Sequence, residues 1–223
     1  TTQPGTPDGN IAQGDTWVND INNDGTVNSQ RRASYKKWFT GNLINQDRSI
    51  REKLVMLMID HFGNEASEVG IAIWTCRKQD LIRQNILGNY KSLITNISKD
   101  ISMLRYLNGY LNQASAPDEN YARELMELFT LGKGPGSQYT ESDVKEAAKV
   151  LTGWQVNTTT YTTTFNSNRH SSANKTFSTF FSGTVITGRT GSTAGDLELN
   201  DLVNMIFAQQ EVAKYIVRKF YRW

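Results

Sequence analysis

Hydrophobic residues recur every three or four positions over much of the chain, the spacing that places them on one face of an α-helix. A clear helix begins at Ser49, which with Glu52 forms a capping-box pattern, and ends at Gly63. The same spacing predicts further helices from about Glu68 to Leu87, from Tyr90 to Ile97 and from Ile101 to Leu107.

The block Pro117 to Trp154 predicts two more helices joined by a short loop. A glycine-rich stretch around Pro135 ends the first helix, and Thr140 caps the second, with Asp143 able to reach back to the Thr140 backbone. Apolar residues fill one side of the first helix. Its polar arc contains Glu119, Asn120, Arg123, Glu124 and Glu127.

After Gly153 the composition changes to Thr, Ser, Asn and aromatic residues, and aromatic residues alternate with threonine over residues 161–165 and 177–181. Such alternation predicts strands. A last pair of helices is expected from Asp196 to Trp223. The predicted fold class is therefore mainly α, a multi-helix domain with a small β-hairpin or extended insert around residues 155–190.

The beginning of the chain differs from the rest. Residues 1–14 contain Pro4, Pro7 and three glycines with little apolar content, which predicts an irregular lead-in segment. Residues 15–223 are long enough for one mostly helical domain. Because the sequence has no initiator Met and stops inside a predicted helix, we expect it to be a fragment of a longer protein.

Composition narrows the functional classes. Among 223 residues, 38% are hydrophobic, and no apolar run approaches the roughly 18 residues of a membrane helix, so we expect a chain that is not itself transmembrane. The net charge is only +2, without a basic stripe interleaved with aromatic residues, which predicts no nucleic-acid partner. The single cysteine, Cys76, excludes a disulfide within the chain and is expected to be a small buried hydrophobic residue.

A short acidic stretch resembles the first nine positions of a calcium-binding loop, in which alternate oxygen ligands wrap the ion. The twelfth position, however, is Arg31, whose positive charge opposes the ion. A simple Asn/Asp/Gly turn is the better prediction, with a partial calcium site as the alternative. The candidate ligands are Asp20, Asn22, Asp24, Thr26 and Asn28.

The two histidines are candidates for metal binding or proton transfer near neutral pH. His61 lies on the apolar side of its predicted helix, which favours a hydrogen-bonded core histidine. His170 lies in a polar loop, and we expect it to be exposed.

The polar arc has two interpretations. Arg123 could hold a carboxylate or phosphate while a neighbouring Glu acts as general base, as in a binding or hydrolytic cleft. The alternative is a solvated helix face, on which Glu119 with Arg123 and Arg123 with Glu127 form ordinary ion pairs. The sequence alone does not choose between them, so whether the protein is an enzyme stays open.

The motifs of the block 117–154, together with Gly14-Asp-Thr-Trp-Val, Leu87-Gly88-Asn89-Tyr90 and Met103-Leu104-Arg105-Tyr106-Leu107, resemble the bacterial family known as domain of unknown function 1800. Family members are typically longer at both ends, so the resemblance implies that this chain is a central portion. Where members commonly show a first His and an Asp, this chain has Ile59 and Ser171. Those losses put any polar site of the family in doubt.

The resemblance, with the Thr/Ser/Asn-rich composition, implies an exported bacterial protein of the periplasm, outer envelope or extracellular space. Our leading hypothesis is a ligand-binding or hydrolytic cleft beside the face 119–127. The competing hypothesis is a non-catalytic structural or accessory subunit that binds a partner protein through the aromatic β insert. Convergence of Arg123, Glu124 and His61 in one pocket would favour the first.

Overall fold

The computed structural model describes Ile11 and residues 15–223. The lead-in predicted for residues 1–14 therefore lies, apart from Ile11, outside the described residues. The helices are α1 Gly25–Asn45, α2 Arg51–His61, α3 Ala66–Val69, α4 Ala72–Asn85, α5 Tyr90–Ile97, α6 Ile101–Tyr106, α7 Asn120–Glu124, α8 Glu141–Val150, α9 Ala194–Phe207 and α10 Gln210–Arg222. A π-helix spans Leu125–Thr130, and the strands are β1 Trp154–Asn157, β2 Thr162–Phe165, β3 Lys175–Thr176 and β4 Val185–Ile186.

The architecture confirms the predicted fold class. Within the described part of the chain, helices surround two small antiparallel sheets, β1 with β2 and β3 with β4. The first sheet is a hairpin in which Trp154 pairs with Phe165 and Asn157 with Thr162. No helix among the described residues is both long and apolar enough to cross a membrane.

Helix α1 was not predicted, because its inward face is largely polar. Asp24 begins the helix by accepting hydrogen bonds from the Thr26 and Val27 N–H groups, both at 2.9 Å. The residues that α1 buries are Asn28, Arg31 and Tyr35, of which the first two are polar. Apolar residues at helical spacing are confined to the second half of the helix, at Tyr35, Trp38 and Phe39, so hydrophobic periodicity gives only a weak signal here.

One predicted helix is divided in two. The helix expected over 68–87 forms as α3 and α4, separated at Gly70, whose φ of 81° interrupts the helix.

The capping box predicted at the start of α2 is absent, because Glu52 does not bond to the Ser49 backbone. Its carboxylate is buried and accepts hydrogen bonds from the Arg83 guanidinium at 2.9 and 3.0 Å, because a buried charge requires a partner.

The capping box predicted at α8 is present. The Asp143 N–H donates to the Thr140 hydroxyl at 3.3 Å, and the Thr140 N–H donates to the Asp143 carboxylate at 2.7 Å. The second Asp143 oxygen accepts the Ser178 N–H at 2.7 Å. One carboxylate therefore joins the start of α8 to the β region.

The strand predicted over 177–181 is wrong in part. Residues Thr179–Phe181 form a 3-10 turn between the short strands β3 and β4. Phe177 and Phe181 are both buried and meet edge to face, with ring centroids 5.7 Å apart. The turn brings both rings together in the core. In an extended strand the two rings would lie too far apart to touch.

Buried side chains form two hydrophobic clusters. The larger contains Phe62, Met103, Leu125 and Leu202, and the smaller contains Trp17, Tyr35, Ile73 and Trp74. Phe39 of α1 packs against both. Cys76 is fully buried in the smaller cluster, as predicted.

Candidate functional site

The predicted polar arc lies where α7 continues into the π-helix. The π-helix forms because the backbone bonds reach one residue further than in an α-helix, so that the Leu131 N–H donates to the Met126 carbonyl at 2.8 Å. The Thr130 hydroxyl donates to the Leu125 carbonyl at 2.6 Å. Wide turns of this kind are frequent at functional sites, which directs attention to the residues around it.

Arg123 is engaged by two carboxylates. Its guanidinium donates to both Glu141 oxygens at 2.8 and 2.7 Å and to Glu119 at 3.0 Å. The predicted pair with Glu127 is replaced, because Glu127 binds Lys133 at 2.7 Å. A guanidinium that already holds two carboxylates has little capacity for an additional anion.

Glu124, in contrast, has a carboxylate oxygen without a partner. Its Oε2 is shielded from solvent and accepts no hydrogen bond. Burial, and then the negative charge of Glu127, raise the pKa of Glu124 above its usual range. A shielded and unpartnered acceptor is unfavourable in the free protein and favours a partner that supplies a donor.

Tyr139, in the loop before α8, has a similar unpartnered group. Its hydroxyl is shielded and makes no hydrogen bond, and burial followed by the charge of Glu127 raises its pKa to about 12. We call Glu124, Glu127, Lys133 and Tyr139 the Glu124 cluster. Asn120, the remaining polar residue of the arc, donates to the Leu107 carbonyl at 3.3 Å and so ties α7 to α6.

His61 belongs to a different network. Its Nε2 lies 2.8 Å from the Tyr90 hydroxyl, which donates its single proton to the Phe129 carbonyl at 2.6 Å. His61 must therefore carry its proton on Nε2 and donate to Tyr90. Its Nδ1 accepts a hydrogen bond from Lys219 at 3.0 Å. Burial, and then the Lys219 charge, lower the pKa of His61 to about 3.

This network supports the end of the π-helix. Tyr90 binds the Phe129 carbonyl, and Tyr215 of α10 donates to the Leu128 carbonyl at 3.0 Å. These bonds satisfy backbone acceptors that the helix end would leave free. His61 is thus buried and hydrogen-bonded, as preferred from the sequence, and it acts on the backbone of the π-helix.

The prediction that His170 is exposed is wrong. Its ring is buried and packs against Phe165, with centroids 5.2 Å apart. Nδ1 lies 2.9 Å from the Thr152 carbonyl, and Nε2 lies 3.1 Å from Glu198 of α9. A histidine in a polar loop can be buried when a charged residue inside the protein binds it. The local sequence does not reveal such a partner.

Lys175 and Glu198 form a fully buried ion pair at 2.5 Å. The Arg189 N–H adds a third hydrogen bond to the Glu198 carboxylate, at 2.6 Å. Burial alone would raise the pKa of Glu198, but the hydrogen bonds from His170, Lys175 and the backbone outweigh it and lower that pKa. Lys175 also donates to the Ser171 carbonyl at 2.5 Å. These contacts fix β3 to α9 and leave no open face for a substrate.

The calcium candidates are largely engaged by the protein. Asp24 caps α1, which contains both Thr26 and Asn28. The Asn28 amide donates to the Asn22 carbonyl at 2.8 Å and accepts the Ala72 N–H at 2.9 Å.

Arg31 completes this arrangement, because its guanidinium binds the Asp20 carboxylate and donates to the Asp20 carbonyl at 2.6 Å. The described residues contain no group of three or more His, Cys, Asp or Glu side chains placed to hold a metal. The partial calcium site stays a prediction. The contacts that these side chains already make within the protein argue against it.

Described residues line at least four surface pockets. One lies beside α1 and α2 around Gln46, one beside α9 and α10 around Ile216, one around Arg189, and one around Ile59. Arg123, Glu124 and His61 line none of these four. The structure therefore does not bring the three together in any of them, and the case for the Glu124 cluster rests on its unpartnered polar atoms.

The comparison with known proteins gives the family. No similar protein was found among curated sequences, and none among solved structures. The family model described as "Protein of unknown function (DUF1800)" matches residues 3–223, essentially the whole chain. This chain therefore belongs to the DUF1800 family.

Proposed function

We propose that this protein is an exported or envelope-associated bacterial protein that binds a ligand at the Glu124 cluster. The single observation that carries the proposal is the shielded, unpartnered Oε2 of Glu124. The unpartnered Tyr139 hydroxyl supports it, since both residues have Glu127 as a charged neighbour. Most buried polar atoms in proteins have a hydrogen-bond partner, so an unpartnered one in this cluster is a candidate contact for another molecule.

The charges around the cluster select the ligand. Glu119, Glu124, Glu127 and Glu141 outnumber the cations Arg123 and Lys133, and Arg123 is occupied by two of the carboxylates. An anionic ligand held by Arg123, as the sequence suggested, is therefore disfavoured. The face fits a ligand that donates hydrogen bonds through hydroxyl or ammonium groups.

A hydrolytic role would place Glu124 as the general acid. Its raised pKa keeps a larger fraction protonated than an ordinary glutamate has, which suits donation of a proton to a leaving group. His61 is not part of this chemistry, because its contacts lead to Tyr90 and Lys219. Ligand binding is the first proposal, and hydrolysis is its extension.

The competing proposal is an accessory subunit that binds a partner protein through the aromatic β insert. Most aromatic side chains there are turned inward, since Tyr161, Phe177 and Phe181 are buried and Phe165 and Phe180 are half-buried. They stabilise the fold and do not form an aromatic surface. No observation at the insert favours a partner, so the Glu124 cluster is the better-supported site. The proposed export rests on the family resemblance and on the exposed threonines of the hairpin, such as Thr158 and Thr162.

A glucosamine trimer tests the proposal, because it presents both hydroxyl and ammonium donors. Calorimetry measures its binding, and mass spectrometry of the same mixture detects any cleavage. We expect binding that Glu124→Gln and Tyr139→Phe each weaken by about threefold to tenfold, the value of one hydrogen bond. Glu68→Gln is the matched control, with the same chemical change at an exposed glutamate outside the Glu124 cluster.

The outcomes separate the possibilities. Binding without cleavage supports a binding protein, and cleavage that Glu124→Gln abolishes supports a hydrolase. The proposal is wrong if the trimer does not bind, or if Glu124→Gln and Glu68→Gln have the same effect. Each variant is first compared with the parent protein by circular dichroism, so that a loss of structure is recognised as such.

A further inference from the structure

The pocket around Ile59 lies on the side of the molecule formed by α1, α2, α3 and α4. Its volume is about 350 Å³, at the lower end of the range for small-molecule sites. None of its wall residues belongs to the Glu124 cluster. It therefore carries an inference independent of the proposed function.

The wall is mainly apolar and aromatic. Tyr35 and Phe39 of α1 lie nearly parallel, with ring centroids 6.2 Å apart and planes inclined by 12°. Ile59 of α2 and Ala66 of α3 add aliphatic surface on the other sides. Such a wall binds the apolar body of a small molecule by removing it from water.

Two polar side chains of the wall have a group without a partner. The Thr75 hydroxyl and the Gln79 side-chain oxygen are shielded and make no hydrogen bond, and both residues are only 8% exposed. Thr75 and Gln79 lie one turn apart on α4, so their groups face the same region. Rotation about one side-chain bond would turn such a group toward a ligand. Unpartnered polar groups behind an apolar wall fit a ligand with a polar end.

The rim of the pocket is positively charged. Lys36 is exposed, and Arg32 is held there by donating to the Gly70 carbonyl at 2.8 Å. No aspartate or glutamate is among the wall residues. The rim therefore attracts an anionic group and disfavours a cationic one.

We propose that this pocket binds a small amphiphilic carboxylate with a hydroxyl or carbonyl group at its far end. The carboxylate meets Lys36 at the rim, and the hydrocarbon body lies on Tyr35 and Phe39. The far polar group bonds to Thr75 and Gln79. The three parts of the ligand correspond to the three parts of the pocket.

Octanoate and 8-hydroxyoctanoate are suitable probes, because they differ only in the terminal hydroxyl. Calorimetry on the intact chain should find one site for each. We expect 8-hydroxyoctanoate to bind about two- to tenfold more tightly, which corresponds to one additional hydrogen bond. Thr75→Val keeps the shape of the side chain but removes its hydroxyl, and should reduce this preference.

Two further variants test the location and the charge. Ala66→Trp fills the pocket from a partly exposed position and should abolish binding of both probes. Lys36→Glu should weaken binding by about fivefold, as expected for a partly exposed charge. Lys37→Glu is the matched control, since Lys37 is also exposed and changes the net charge equally but is not a wall residue.

The proposal is overturned if neither probe binds, or if Ala66→Trp folds and binds as the parent does. Equal effects of Lys36→Glu and Lys37→Glu also overturn it, because binding would then follow net charge alone. If Ala66→Trp does not fold, the comparison of the two lysine variants decides.

Discussion

Replacing His61 by glutamine tests the direction of the hydrogen bonds at the end of the π-helix. Glutamine can donate to the Tyr90 hydroxyl as the Nε2–H of His61 does, but it does not titrate. The variant therefore keeps one bond of the network and removes the ionisable group. Its stability should depend on pH differently from that of the parent protein.

The size of the effect follows from the pKa of His61. In the folded protein that pKa is about 3, against 6.5 for an ordinary histidine. At a pH between these two pKa values, His61 is protonated in the unfolded chain but not in the folded protein. Stability is therefore full above the ordinary pKa and falls as the pH decreases toward the folded value. At about 1.4 kcal/mol per pH unit, the loss reaches about 2 kcal/mol at about pH 5.

Urea unfolding of both proteins at about pH 7.5, 6 and 5 measures this contribution. Asp100 acts in the opposite direction, because burial raises its pKa to about 6, so that its protonation on acidification favours the folded protein. Asp100 is present in both proteins and cancels in the comparison. We expect the stability advantage of the parent over His61→Gln to shrink by about 2 kcal/mol from the highest to the lowest pH. An advantage that stays constant would refute the buried neutral histidine.

Other predictions concern single structural contacts. Gly132→Ala places a Cβ 2.6 Å from the Tyr215 ring at a φ of 75° and should lower the unfolding free energy by about 1–3 kcal/mol, whereas Gly134→Ala, with open space around it, should change little. Thr140→Ala removes the α8 cap and should cost about 1 kcal/mol in urea unfolding. Glu198→Ala leaves a buried lysine without its counter-charge and should cost about 3–5 kcal/mol, visible as a lower calorimetric melting temperature. A melting temperature equal to that of the parent would contradict the buried pair.

Local signals predicted local structure well. Helix α5 begins and ends where the apolar spacing placed it, and the Thr140–Asp143 cap is present, because both depend on neighbours in the chain. The buried polar residues of α1 and the pairing of Glu52 with Arg83 depend on partners up to 44 residues away, the separation of Asn28 from Ala72. Hydrophobic periodicity contains no information on such contacts.

The same limit applies to the candidate site. The polar arc could be located from the sequence because its spacing is helical. Glu141, which binds Arg123, lies on the next helix, so this contact depends on how the two helices pack. That the Tyr139 hydroxyl has no partner depends on how the loop before α8 folds. His170 was misplaced because Glu198, its partner, follows 28 residues later on another helix. Which polar groups are satisfied is a property of the tertiary structure.

The π-helix also determines how this segment tolerates changes in length. It contains one residue more than an α-helix of the same rise would hold, so a deletion within Leu125–Thr130 could restore regular α geometry at little local cost. Because the wide turn holds about one residue more for the same rotation, side chains before and after such a deletion would keep nearly the same relative orientation. The carbonyls bound by Tyr90 and Tyr215 lie within this segment, so they are the groups that the deletion would displace. The extra residue thus determines which backbone carbonyls the two tyrosines meet.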